Sequence, residues 1–224
     1  IFFGRMAKWL LLIVVGVGCL QIFGINTTGF AAVLASAGIA VGLALQGTLQ
    51  NFSAGVMLLI FRPFKVGDYI NVSGESGTVQ EIDLFVTHVD TLDNRRVILP
   101  NGSVFGNVIT NFSHNELRRI DVAVGVHYQN DIDETKKILM EAALTVENQS
   151  PSNPPEIYLV ELGASSVDYS VRIWSHPSNY WQIREDATRA AKYHLEQAGL
   201  TIPFPQMDVH FDPGVSVSIA TPAD

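Results

Sequence analysis

Charge is what this sequence lacks first. Of its 224 residues 16% are charged, against about 25% in an average soluble chain, and the shortfall falls in one place. Residues 9–61 form a run of 53 positions without one Asp, Glu, Lys or Arg, and no acid precedes Asp68. Residues 1–62 carry three basic residues and net +3; residues 63–224 carry 11 basic and 22 acidic residues and net −11. A uniformly soluble domain is excluded, and a hydrophobic content of 47% excludes intrinsic disorder. The single cysteine, Cys19, excludes an internal disulfide framework and any CxxC metal site. The six histidines (His88, His114, His127, His176, His194 and His210) form no HxxxH or HExxH pattern and read as satisfied or exposed side chains. No P-loop, GxSxG or strand-linked GxGxxG occurs. No catalytic residue, metal or cofactor is therefore expected, and an enzyme is the least supported class. The acidic balance, without a basic stripe, argues against nucleic acid. The basic pairs Arg95-Arg96, Arg118-Arg119 and Lys136-Lys137 read as solvated faces or inter-subunit salt bridges.

The uncharged run divides into three segments. Residues 9–25 are 17 mostly apolar positions, about 25 Å of helix at ~1.5 Å per residue, enough to cross a hydrocarbon core with help from the flanks. Phe2 and Phe3 can extend it. Residues 26–29, Asn-Thr-Thr-Gly, make a short polar turn, residues 30–46 a second span, and residues 48–61 a third segment beyond Gly47. Arg5 and Lys8 precede the first span, with Trp9 at its edge, and Arg62 and Lys65 follow the third segment. These five are the expected interface anchors. By the positive-inside rule both ends face the cytoplasm, and the acidic remainder with them. The chain opens on Ile1, which predicts that further residues precede it.

The second span is unusually small-sided. Ala31, Ala35, Gly38, Ala40, Gly42 and Ala44 lie along it, with Gly38 and Gly42 as a small-xxx-small pair. Two arrangements fit: a ring of identical helices packed on both sides around an axis, or a simple dimerisation face with lipid-facing leucines. In a ring, Ile39 and Leu43 share one face at i,i+4 and form two stacked apolar collars. Gly47 is expected to kink the helix and Gly55 to be a second soft point. Between them and beyond, Leu49, Phe52, Val56, Leu59 and Ile60 recur at helical spacing opposite Thr48, Gln50, Asn51 and Ser53, an amphipathic helix for the membrane surface.

From Pro63 the texture changes. Short β runs over 68–72, 77–82, 84–90 and 95–99, with turns at Gly74, Gly77, Asp93-Asn94 and Asn101-Gly102, predict a small β-barrel in a middle domain of residues 62–118. Residues 119–203 read strand (120–127), helix (131–148, with Asp131 and Glu134 as a capping box), strands (156–162 and 166–174) and helix (179–198), closed by a strand over 206–211. The order β-α-β-β-α-β is the ferredoxin-like split pattern. The last strand follows Pro203 and Pro205 and is free to leave the domain, so residues 204–224 form a separate strand and tail.

Three function classes compete. An ion-coupled transporter normally places an ionisable residue at the bilayer centre, and residues 9–61 offer none. A membrane-anchored scaffold or sensor needs no ring of helices. A pore sealed by apolar collars and opened by wetting needs no membrane charge.

The residues Ala37-Gly38-Ile39-Ala40-Val41-Gly42-Leu43-Ala44-Leu45-Gln46-Gly47, then Arg62-Pro63-Phe64-Lys65-Val66-Gly67-Asp68 and Leu99-Pro100-Asn101-Gly102, strongly resemble the bacterial small-conductance mechanosensitive channels, the MscS family. Gly163-Ala164-Ser165-Ser166 and Pro203-Phe204-Pro205-Gln206-Met207-Asp208 extend the likeness, which covers residues 9–212. The resemblance implies an inner-membrane homoheptamer in contact with lipid. It implies residues 1–29 as a lipid-facing helix and turn, with a further helix upstream. It implies a pore helix over 30–46, a kink at Gly47, a surface helix over 48–60, a middle β domain, an αβ domain and a C-terminal seven-stranded barrel. The family's two leucine seal rings fall on Ile39 and Leu43, with isoleucine where leucine is usual. The activity implied is tension-gated release of ions and small osmolytes in hypoosmotic shock.

Overall fold

A computed structural model describes residues 2–24 and 26–210. The chain divides into two compact units between Asn111 and Phe112.

The first unit opens with two helices, α1 (Phe2–Ile22) and α2 (Thr28–Phe61). Both are long and apolar enough to cross a membrane, and within one chain their spanning windows bury nothing. Thr27 stands at the start of α2 without a side-chain cap. Its end is sharper: Arg62 adopts a left-handed conformation (φ 47°, ψ 57°) and its N–H closes on the Leu58 carbonyl at 3.0 Å. Pro63 disfavours right-handed helix at Arg62, so the chain leaves α2 through a turn that an arginine adopts at some cost.

The expected interruption at Gly47 is absent as a break in structure. α2 runs unbroken for 34 residues, about 50 Å at ~1.5 Å per residue, well beyond a ~30 Å hydrocarbon core. One glycine costs about 1 kcal/mol of helix propensity, and the alanines and leucines on both sides outweigh it.

The rest of this unit is a five-stranded antiparallel sheet: β1 (Tyr69–Val72), β2 (Glu75–Ile82), β3 (Val86–Asp90), β4 (Arg96–Pro100) and β5 (Ile109–Asn111), in the order β4-β3-β2-β1-β5. The expected runs are present within a few residues of their ends. Alternation accounts for them: Ile70 and Val72 on β1, Val79 on β2 and Val89 on β3 face one core with Phe64, Leu99 and Val104. Leu58 of α2 inserts into the same core.

Two elements were not located in the sequence. The turn read at Asn101-Gly102 opens the short helix α3 (Asn101–Gly106), and β5, the fifth strand, follows it. Pro100 at φ −58° and ψ 130° ends β4 and turns directly into α3, a use of proline just before a helix start.

The second unit contains β6 (Arg118–Val126), α4 (Ile132–Leu144), β7 (Glu156–Leu162), β8 (Val167–Ser175) and α5 (Tyr180–Gln197), with a 3-10 turn over Pro177–Asn179. The sheet order is β6-β8-β7, all antiparallel. β8 shows why the alternation was legible: Val167, Tyr169, Val171, Ile173 and Ser175 are buried between half-buried Asp168, Ser170, Arg172 and Trp174. α4 and α5 cover that face with Leu139, Ala143, Ile183, Ala187, Ala191 and Leu195. Burial pushes the Tyr169 hydroxyl above its ordinary pKa.

Asp131 caps α4, its carboxylate accepting from the N–H groups of Asp133 and Glu134 at 2.9 Å each. Asp131→Ala is expected to cost about 1 kcal/mol, read as a fall of a few degrees in the thermal unfolding of the second unit. An unchanged transition would remove the cap from the stability account.

The sequence reading grouped residues 112–118 with the β domain. In the structure the Arg118 guanidinium lies 4.6 Å from the Phe112 ring centre and 3.7 Å from that of Tyr180 on α5, all three residues within the second compact unit. The strand expected over 206–211 is one read as leaving the domain to pair elsewhere; within one chain residues 206–210 carry no strand pairing, and Phe211 and the rest of the tail lie outside the described residues. Pro203 and Pro205 remove two donors from this stretch, and Phe204, Met207 and Val209 are exposed. The Gln206 N–H donates to Ser165 Oγ at 3.1 Å, which ties this stretch to the loop before β8.

Candidate pore-lining helix and its docking site

The upper half of α2 carries the collar candidates. Ile39 and Leu43 are 65% and 67% exposed, and Ala31, Ala35, Ala40 and Ala44 are exposed as well. A Cβ added at Gly38, Gly42 or Gly47 would meet nothing within 4 Å. Within one chain none of the described residues in this stretch of helix is buried, although its composition is that of a packing surface.

The lower half is different. Ala54, Gly55 and Leu58 are buried against the β domain. A side chain at Gly55 would run into the Leu84 carbonyl, and its Cβ would lie 2.6 Å from Asn101 Nδ2. Gly55, expected as a soft point, therefore stands at a close approach of helix to turn that only glycine permits.

Asn101 is the centre of this contact, and it is fully buried. Its backbone N–H donates to the Phe85 carbonyl at 2.9 Å, and its Nδ2 donates to the Asp83 carbonyl at 2.8 Å. Its Oδ1 accepts from the buried Thr87 hydroxyl at 2.8 Å. Next to it the Gly102 N–H donates to Asn51 Oδ1 on α2 at 2.8 Å. Asn51, on the polar side of residues 48–61, is thus bonded to the protein's own α3. Leu49, Phe52, Leu59 and Ile60 remain exposed on α2, with Phe52 tilted against Phe85 at 6.1 Å between ring centres. Sequence reading missed Asn101 because Asn-Gly is ordinary turn chemistry; its burial is a property of the fold.

The anchor residues fall where the apolar helices end. Arg5, Lys8 and Trp9 are exposed on the first turns of α1. Arg62 and Lys65 rim an apolar hollow of about 510 Å³ walled by Leu58, Phe64 and Ile82. The Lys65 N–H donates to Asp68 Oδ2 at 2.9 Å, and the same oxygen accepts from Asn111 Nδ2 at 2.8 Å, so the loop after α2 is held on β5. Of the basic pairs, Arg95, Arg96 and Arg119 bond to Asp93, Asp90 and Asp121 of their own chain. The Arg96 pairing holds the Asp90 carboxyl below its ordinary range.

Comparison with known proteins matches these parts in order. Residues 6–46 match the family described as mechanosensitive ion channel, transmembrane helices 2/3. Residues 47–114 match mechanosensitive ion channel, beta-domain, and residues 120–202 match mechanosensitive ion channel MscS, C-terminal. The small-conductance mechanosensitive channel of Helicobacter pylori is 32% identical over 209 residues, 93% of this chain and 76% of that protein. The chain belongs to the MscS family. The small-conductance mechanosensitive channel of Edwardsiella ictaluri is 43% identical over 175 residues, 78% of this chain; the match spans 61% of that relative's length. The crystal structure of H. pylori MscS in its closed state superposes with a TM-score of 0.87 at 32% identity, covering 94% of this chain and 84% of that one. Arabidopsis thaliana MSL1, at 18% identity and a TM-score of 0.76, shares the fold. MscS membership places the apolar helices in the bacterial inner membrane and the C-terminal domains in the cytoplasm, and it is membership of a channel family, not of an enzyme class.

Proposed function

We propose that this MscS-family chain forms a homoheptameric pore that opens under membrane tension and releases ions and small osmolytes during hypoosmotic shock. The observation that carries the reading is the contrast within α2. Its upper half is uncharged, small-sided and unburied in a single chain, and its lower half is docked on the cytoplasmic β domain. Identical neighbours supply the missing packing: the Ala31, Ala35, Gly38, Ala40, Gly42 and Ala44 faces let pore helices approach closely and slide. Ile39 and Leu43 then line the axis as two apolar collars, narrow enough to stay dry when closed.

Tension favours the state with the larger in-plane area. α1 and the lipid around it take up the strain, with Arg5, Lys8, Trp9, Arg62 and Lys65 holding the start of α1 and the end of α2 at the cytoplasmic interface. The pore helices tilt, and the collars widen and wet. Gly47, with open space around it, is the bend point between a moving upper half and a docked lower half. A bend at Gly55 requires that α2 first lift from the Leu84 carbonyl.

The test is patch-clamp recording of liposomes containing the purified chain. Stepwise suction should produce discrete conductances below the lytic tension, and silence up to rupture would overturn the reading. Native mass measurement of the detergent complex should return seven copies; a monomer or dimer would leave the membrane-anchored scaffold as the better account. Gly47→Ala should change current decay under sustained tension, since it stiffens the bend, and identical decay would remove that role.

A further inference from the structure

The β2–β3 hairpin gathers three metal-ligating side chains that the established family role does not use. Glu81, Asp83 and His88 each offer one ligand atom, and these three atoms lie within 4.8 Å of one another. We propose that they form a binding site for a divalent first-row transition cation of the Zn²⁺ class, one per chain.

Backbone geometry builds the cluster. The β2–β3 register shifts between Val79 and Glu81, so that Glu81 rather than Gln80 stands opposite His88. A directly opposed antiparallel pair brings its Cβ atoms to about 5 Å on one face. Asp83 follows at the turn, where its N–H donates to the Val86 carbonyl at 2.8 Å and its carbonyl accepts from Asn101 Nδ2 at 2.8 Å. Its main chain is therefore fixed on both sides before any ion arrives.

The side-chain geometry suits a small cation. His88 Nε2 and Asp83 Oδ2 are 3.2 Å apart, close to the roughly 3.3 Å edge that ligands ~2.0–2.1 Å from a tetrahedral ion require. His88 Nδ1 is buried without a hydrogen-bond partner, so Nε2 is the ring atom available for ligation. The His88 side chain is 19% exposed and that of Asp83 49%, which fixes the imidazole and leaves the carboxylate side open to solvent. Arg96 feels the charge of Glu81, but its guanidinium is held on both oxygens of Asp90 at 2.9 and 3.1 Å, which leaves Glu81 free to turn to an ion.

The donor set selects the class of ion. One imidazole with two carboxylates favours Zn²⁺, Co²⁺ or Ni²⁺ over Mg²⁺ or Ca²⁺, which take oxygen ligands in larger number. Three protein ligands leave a position for water, the composition of an exchangeable site. An ion here ties β2 to β3 and stiffens the turn over 83–85, whose carbonyls hold Asn101 and face Gly55.

Calorimetric titration of the detergent-solubilised, untagged full chain with Zn²⁺ tests this. One saturable site per chain is expected, with 1 mM Mg²⁺ failing to compete. His88→Gln and Glu81→Gln should each weaken binding at least tenfold, and His194→Ala in the second unit should leave it unchanged. Glu81 is exposed, so its variant keeps the test valid if His88→Gln fails to fold. Absence of binding below 1 mM Zn²⁺, displacement by Mg²⁺, or wild-type affinity in Glu81→Gln would overturn the site.

Discussion

Asn101→Ala is expected to destabilise the β domain by about 3–5 kcal/mol and to release the lower half of α2. Three hydrogen bonds meet at this residue, two through its side chain. The backbone bond to Phe85 survives truncation. The Asp83 carbonyl and the Thr87 hydroxyl do not find new partners easily, because Asn101 and Thr87 are fully buried. Each buried group left unmatched costs about 1–3 kcal/mol, and the void left by the amide adds to that. Hydrogen exchange of the full chain in detergent reads the consequence residue by residue. Protection should fall over residues 83–87 and at the Gly102 N–H, which Asn51 now accepts from, while β8 of the second unit keeps its protection. Thr87→Val should cost less, about 1–2 kcal/mol, since it orphans only Asn101 Oδ1. Unchanged exchange in Asn101→Ala would mean that water replaces the amide, and the asparagine would lose its place as the centre of the docking contact.

The same residue shows where sequence reading stops. Membrane helices were legible because their signal is compositional: a long stretch without charge needs no knowledge of neighbours. β8 was legible because a two-residue alternation survives in any single chain whose one face is buried. Asn101 was not, because Leu-Pro-Asn-Gly carries the chemistry of a turn, and a six-residue helix is too short to display a 3.6-residue period. Only the packing of α2 against α3 makes that asparagine interior. The Glu81–His88 pairing was hidden for a related reason. An extra residue in β2 sets it, and no spacing rule announces a bulge.

The two glycines of α2 make the point from the other side. Both were read as places where a helix bends, from the same intrinsic weakness. The structure separates them: Gly47 has open space around it, whereas Gly55 lies beneath a carbonyl. Propensity is a property of the residue alone, so it could not tell a site of freedom from a site of close approach. In the second unit, Arg118 was read as half of a basic pair on a solvated face or in an inter-subunit salt bridge. Its stacking between Phe112 and Tyr180 depends on residues 62 positions apart, a cation–π contact that no local window contains.

Leu43→Ser should lower the tension needed to open the pore by roughly half, the largest functional change expected of any single substitution here. Burial of a leucine side chain stabilises by about 1.5–3 kcal/mol relative to exposure. A residue that faces a narrow dry lumen realises only part of this, on the order of 1 kcal/mol in each copy. Serine removes that penalty on wetting and adds a hydroxyl that water can bond. Because a ring repeats the change in every subunit, a modest term per chain multiplies by the number of copies, about 7 kcal/mol in a heptamer. Leu43→Ile preserves an apolar surface of equal volume and should move the threshold little, which separates loss of hydrophobicity from loss of shape. The proposed Ile39 collar one turn above is kept in both variants, so on that reading Leu43→Ser should still close at rest, and the double variant Ile39→Ser, Leu43→Ser should leak without suction. Patch recordings that compare each variant with the wild type under matched suction read all three. A threshold in Leu43→Ser equal to that of the wild type would place the seal elsewhere on α2.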